Sequence, residues 1–152
     1  MPAVFEDLDT FSATVGQSLG TSDWWQVTQQ QVDAFADATG DRQWIHVDPE
    51  RAAGGPFGGT IAHGYLTLSL VPILAEQIFE VQNIASVVNY GADKLRFPHP
   101  VLVGSRIRAT ATLAGITPKG TGTQALISFV VEIDGAEKPA CVVDVVYVYT
   151  AV

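Results

Sequence analysis

The stretch Ile61-Ala62-His63-Gly64-Tyr65-Leu66-Thr67-Leu68-Ser69-Leu70-Val71-Pro72-Ile73-Leu74-Ala75-Glu76-Gln77-Ile78-Phe79 decides the fold. Its large apolar residues fall on nearly every face of a helical wheel, and no wide polar face opens before Glu76 and Gln77. A helix of that kind is enclosed by protein on most sides. Pro72 removes one intrahelical donor and favours a bend, so the spacing predicts a long buried helix over 61–79 whose ends are less sharply marked than its middle.

Downstream the period changes from 3.6 to 2. Ile107, Ala109, Ala111 and Leu113 alternate with Arg108, Thr110 and Thr112. Ala125, Ile127, Phe129, Val131 and Ile133 alternate again, and Cys141 to Val148 is a β-branched run. These are strands, and everything after Ser86 reads that way. Pro98-His99-Pro100, Pro118-Lys119-Gly120 and Asp134-Gly135 supply the turns between them. One buried helix followed by three or four long antiparallel strands predicts an α+β domain in which a curved sheet wraps the helix. Such a sheet ends in an edge strand, and pairing across a two-fold axis would cover it, so a homodimer is expected.

Upstream, Thr28-Gln29-Gln30-Gln31 has the form of a capping box. Val32, Phe35, Ala36 and Thr39 follow at helical spacing, and Gly40 suits the left-handed residue that ends such a helix. Trp24-Trp25-Gln26-Val27 before it reads as a short strand, whereas residues 1–22 are weakly patterned and expected to be irregular. Asp41 to Thr60 reads as loop, with one helical turn where Asp48 caps and Pro49 takes the first position. No linker or repeat divides the 152 residues, so a single domain over 1–152 is expected.

Composition removes several functions. Eight Lys and Arg against sixteen Asp and Glu give a net charge of -8, which opposes attraction to nucleic acid or to an anionic membrane surface. The single cysteine, Cys141, lies in an apolar run and reads as a small buried hydrophobe. The first basic residue is Arg42, so neither a secretory nor a mitochondrial leader pattern is present, and a cytoplasmic location is expected.

Chemistry is confined to a few residues. There are three histidines, and His99 sits between two prolines in a turn, which favours a structural role. Asp41 and His46 lie five residues apart on a segment read as nonhelical, where a loop can turn both toward one point. A carboxylate and an imidazole so placed can hold one water and move protons to and from it. Spacing alone leaves a second reading open, in which Asp41 binds the helix end and His46 packs beside Trp44. His63 and Gly64 open the buried helix, where free backbone N–H groups can hold a developing oxyanion. Asp41, His46 and His63 offer zinc-ligand types, but their spacing matches no compact motif, and no metal is expected. Lys94, Arg96, Arg106 and Arg108, half of all basic residues, fall within fifteen positions and mark a candidate anion site.

Phe35-Ala36-Asp37-Ala38-Thr39-Gly40-Asp41, Trp44-Ile45-His46-Val47-Asp48-Pro49-Glu50-Arg51-Ala52 and Gly59-Thr60-Ile61-Ala62-His63-Gly64-Tyr65 together resemble the MaoC-like dehydratase family, which includes the (R)-specific enoyl-CoA hydratases. Asn89-Tyr90-Gly91, Lys94-Leu95-Arg96-Phe97-Pro98 and Val103-Gly104-Ser105 resemble its downstream strand pair, so the likeness runs over about residues 24–150. It implies a hot-dog fold, a homodimer, and reversible hydration of a trans-2-enoyl-CoA without a cofactor. By position it makes Asp41 and His46 the catalytic dyad and Gly64 the donor to the thioester oxygen. His63, Ser69, Lys94, Arg96, Arg106 and Arg108 are the candidate substrate contacts. Where several members carry a serine eight residues after that glycine this chain has Pro72, and Ser69 is the nearest replacement. A thioesterase on the same fold is the competing reading.

Overall fold

The computed structural model describes all 152 residues. In chain order the elements are β1 (Ala3–Phe5), α1 (Leu8–Ser12), β2 (Ser18–Thr21), β3 (Trp25–Gln26), α2 (Gln29–Thr39), α3 (Trp44–Val47), α4 (Pro49–Ala53), α5 (Gly64–Glu76), β4 (Phe79–Val81), β5 (Ile84–Arg96), β6 (Arg106–Lys119), β7 (Gly122–Ile133) and β8 (Cys141–Ala151). The main sheet runs β2-β6-β7-β8-β5, with β3 also pairing β6, and all of its pairings are antiparallel.

Register explains why the helix fits against this sheet. Ala109 of β6 lies opposite Val131 of β7, which lies opposite Cys141 of β8; the next rows are Ala111-Phe129-Val143 and Leu113-Ile127-Val145. Each row points inward, and every member is buried. Two alanines on β6 keep the floor of the sheet low. Leu66, Leu70, Val71, Leu74 and Ala75 of α5 belong to the same core of 29 buried residues. Each fully buried large aliphatic or aromatic side chain contributes roughly 1.5–3 kcal/mol relative to its exposed state. The α+β architecture expected from the change of period is the one observed.

The helix is shorter than the apolar run. Ile61 instead forms an isolated bridge to Leu102, and Phe79 begins β4. Apolar character marks burial, and it continues unbroken through the flanking extended backbone. Residues 1–22 are ordered rather than irregular. Asp7 and Thr10 form a reciprocal capping box for α1, and β1 pairs in parallel with β4. That pairing joins segments more than seventy residues apart, which no local pattern reports. The helix over 29–39 ends at Gly40 as read, with φ +84° and its N–H on the Ala36 carbonyl at 2.8 Å. Thr28 accepts from the Gln31 N–H, but Gln31 turns its own side chain to the Trp25 indole, so only half of the box forms. Asp48 caps α4 ahead of Pro49. Pro118 and Lys119 lie inside β6, and the turn begins at Gly120.

Candidate active site

Three chain segments converge at the start of α5: the end of α2, the turn α3, and Thr60-Ile61-Ala62-His63. Backbone bonds join the last two, with the Ile61 N–H donating to Ile45 at 2.9 Å. His46 sits within α3 rather than on open loop, because the Asp48 N–H closes one helical turn onto Trp44. Its Nδ1 lies 2.7 Å from the Ile61 carbonyl. A carbonyl only accepts, so Nδ1 carries the proton and Nε2 of the neutral ring is left as a base.

Asp41 follows the left-handed Gly40 and is exposed, and its carboxylate takes no protein hydrogen bond. Arg42 turns away to Asp37. The donor atoms of Asp41, His46 and His63 all lie within 4.8 Å of one another. His63 is 3% exposed; its Nε2 donates to the Asp41 carbonyl oxygen at 2.9 Å, and its Nδ1 is buried without a partner. Although His63 occupies the N-cap position of α5, its side chain makes no capping bond. The His46 and His63 rings stack at 3.8 Å with 22° between planes. Near-parallel rings hold their in-plane lone pairs side by side, so the pair does not converge on one ion as tetrahedral ligation needs.

Burial is the largest influence on His46 and pushes its pKa below the ordinary histidine range; neighbouring His63 pushes the same way, while the bond to Ile61 and the charge of Asp41 oppose. Cys141 is fully buried and its thiol is pushed up to about 11, which removes it as a nucleophile.

Gly64 is the first residue of α5, so its N–H has no acceptor within the helix. A Cβ there would lie 2.8 Å from the Phe97 ring, so close packing of Phe97 is what requires glycine. Ser69 donates to the Tyr65 carbonyl of its own helix at 2.7 Å. It also lines a groove of about 420 Å³ with Leu68, Val71, Pro72, Tyr90 and Val145.

The basic cluster divides. β6 and β5 are three strand spacings apart, about 14 Å. Arg106 pairs with Asp134, Arg108 pairs with Glu132 at 2.8 Å, and both guanidinium groups lie over Trp24. Lys94 and Arg96 at the end of β5 make no ion pair, and Lys94 sits at φ +54° where the β5–β8 register shifts. The four do not form one anion site within a chain. His99 bonds only the neighbouring Pro100 carbonyl.

Sequence reading missed Gln29. Its amide donates to the His46 carbonyl at 2.7 Å and to Asp33 at 2.9 Å, and accepts from the Thr60 hydroxyl at 2.6 Å. It thus ties the first turn of α2 to the segments on both sides of the site. A polar residue next to a cap is the only trace of this in the sequence.

A buried helix held against an antiparallel sheet, with a carboxylate and an imidazole gathered near its first turn, is the arrangement of a hot-dog fold. The chain belongs to the MaoC-like domain family, whose model matches residues 10–132. It is 53% identical over 148 residues to 3-hydroxyacyl-thioester dehydratase Z of Mycobacterium tuberculosis, covering 97% of this chain and 98% of that protein. Among solved structures it is similar to the (R)-hydratase of A. caviae involved in PHA biosynthesis, with a TM-score of 0.71 at 26% identity over 88% of this chain and 94% of that one. A monoamine oxidase regulatory protein from Archaeoglobus shares the fold, with a TM-score of 0.76 at 20% identity over 100% and 99% of the two chains. No helix of the structure is long and apolar enough to cross a membrane.

Proposed function

We propose that the protein reversibly hydrates trans-2-enoyl-CoA to (R)-3-hydroxyacyl-CoA, with Asp41 and His46 as the dyad and the Gly64 N–H as donor to the thioester oxygen. The observation that carries this reading is the hydrogen bond from the His46 ring to the Ile61 carbonyl, three residues ahead of Gly64, which ties the base to the segment that opens α5.

The steps balance without a cofactor. A water held between the Asp41 carboxylate and His46 Nε2 adds its oxygen to C3 of the enoyl group, and the electrons of the double bond move to the carbonyl oxygen. The dyad receives one proton of that water and delivers one to C2, which restores the thioester carbonyl. Charge on that oxygen in between is met by the Gly64 N–H at the positive end of α5, and such a donor is worth about 3–4 kcal/mol. Neutral His46 is needed at the start, and its burial favours that form.

Substrate contacts follow from position. Gly64, Leu68, Val71 and Pro72 share one helical face, and the last three line the groove, so an acyl chain could run from the amide about 12 Å along α5. Lys94 and Arg96 make no ion pair and shortly precede Phe97, the residue packed on Gly64, which makes them the candidate cations for the carrier's phosphates. β5 is exposed at all of its residues but Ile84 and Leu95 and pairs only with β8, which supports a homodimer joined at that edge.

The test follows loss of enoyl-CoA absorbance alongside thiol release. Absorbance loss without free thiol is expected, and stoichiometric thiol would establish the thioesterase instead.

A further inference from the structure

We propose that His63 is the positioning residue that holds Asp41 and His46 in fixed relation to each other, and that it does so without touching the substrate. The inference rests on the hydratase reading for its kinetic arm. Its geometry is independent of that reading.

Each dyad member is tied to this ring by a different contact. The Nε2–H donates to the Asp41 carbonyl at 2.9 Å, whereas the only other bond of Asp41 is a long one from its N–H to the Thr39 hydroxyl at 3.4 Å. The ring face stacks on His46 at 3.8 Å, and the Phe35 ring packs against it, tilted by 53°, at 4.8 Å. Ile61 fixes how the His46 ring turns in its own plane, and His63 fixes the plane itself. The ends of α2 and α3 and the start of α5 therefore meet on one side chain.

The cost of this arrangement is visible. His63 is 3% exposed and its Nδ1 has no hydrogen-bond partner. A phenylalanine ring could stack on His46 without a buried unsatisfied nitrogen, but it would give the Asp41 carbonyl no donor. Retention of an imidazole points to its Nε2–H as the property in use.

Two variants separate the contacts. His63→Phe keeps the stack and removes the bond; His63→Gln keeps a donor within reach and removes the stack. In His63→Phe, Tm is expected at or above the wild-type value, while kcat falls about 10- to 100-fold and KM stays within about threefold. The acidic limb of kcat should move to higher pH, because a neighbour that disfavours protonation of His46 is gone. His63→Gln should recover part of kcat. An imidazole NMR titration of His46 reads the same coupling without substrate and is expected to move upward in both variants. A His63→Phe enzyme with wild-type kcat and an unmoved His46 titration overturns the proposal, as does a parallel fall of kcat and Tm, which would indicate a structural role. Should His63→Phe not fold, wild-type kcat and titration in His63→Gln overturn it equally. Absence of hydration by the wild-type protein would instead overturn the function, and the NMR titration would still decide the coupling.

Discussion

The start of α5 and the strand β5 are opposites in construction. Around α5, residues 41–64 are knotted by short bonds: Ile45 to Ile61, His46 to Ile61, and Gln29 to both His46 and Thr60. β5 spends one edge on β8 and leaves the other bare, with Val87, Val88 and Tyr90 between 48% and 58% exposed. The contacts of the first region are all made within one chain, whereas the second offers an unpaired edge. On the proposed reading, proton transfer would belong to a single chain, while the wall of the acyl groove and the state of association would depend on what meets β5.

Four experiments break or sharpen that contrast. The largest effect is expected from the dyad: Asp41→Asn and His46→Gln should each lower enoyl-CoA hydration at least about 100-fold with circular dichroism unchanged. A wild-type rate in either folded variant would remove that residue from the mechanism. Next is the amide. With Phe97→Ala as background, so that space for a Cβ exists, Gly64→Ala keeps the N–H and Gly64→Pro deletes it at a helix position that tolerates proline. The proline variant should turn over about 100-fold or more slowly than the alanine variant, and equal kcat values would reject the donor role.

Third, Val88→Lys with Tyr90→Lys places like charges along the bare edge. Sedimentation should shift from dimer to monomer and turnover should fall. The NMR titration of His46 should stay where it is, since the site is closed within the chain. A titration that moves with dissociation would refute the separation of the two regions. The smallest effect is in pH dependence. Because His46 is held below the ordinary histidine range, its basic form persists as pH falls, and the acidic limb of kcat/KM should lie below about 6.5. A limb above that value would mean that another group limits the rate.

The sequence made the core legible because alternation on β6, β7 and β8 and the unbroken apolar helix are local periodicities. It placed Asp41, His46 and Gly64 through spacing and family likeness, and the structure sets them on adjoining segments. It lost what depends on strand order. Lys94 and Arg108 are near in number, yet β7 and β8 run between their strands. The role of Gln29 depends on contacts 17 and 31 residues away. Ordering of residues 1–22 depends on β4 for β1 and on β6 for β2, and the N-terminal end of α5 on where Ile61 bridges to Leu102.

The bare flank of β5 also bears on heredity. It asks of whatever covers it only a pairing margin and a greasy surface. In the proposed dimer, a duplicated copy that had lost its acid and base would still meet that demand, and the couple could become unequal, one working and one sheltering, without any change of architecture.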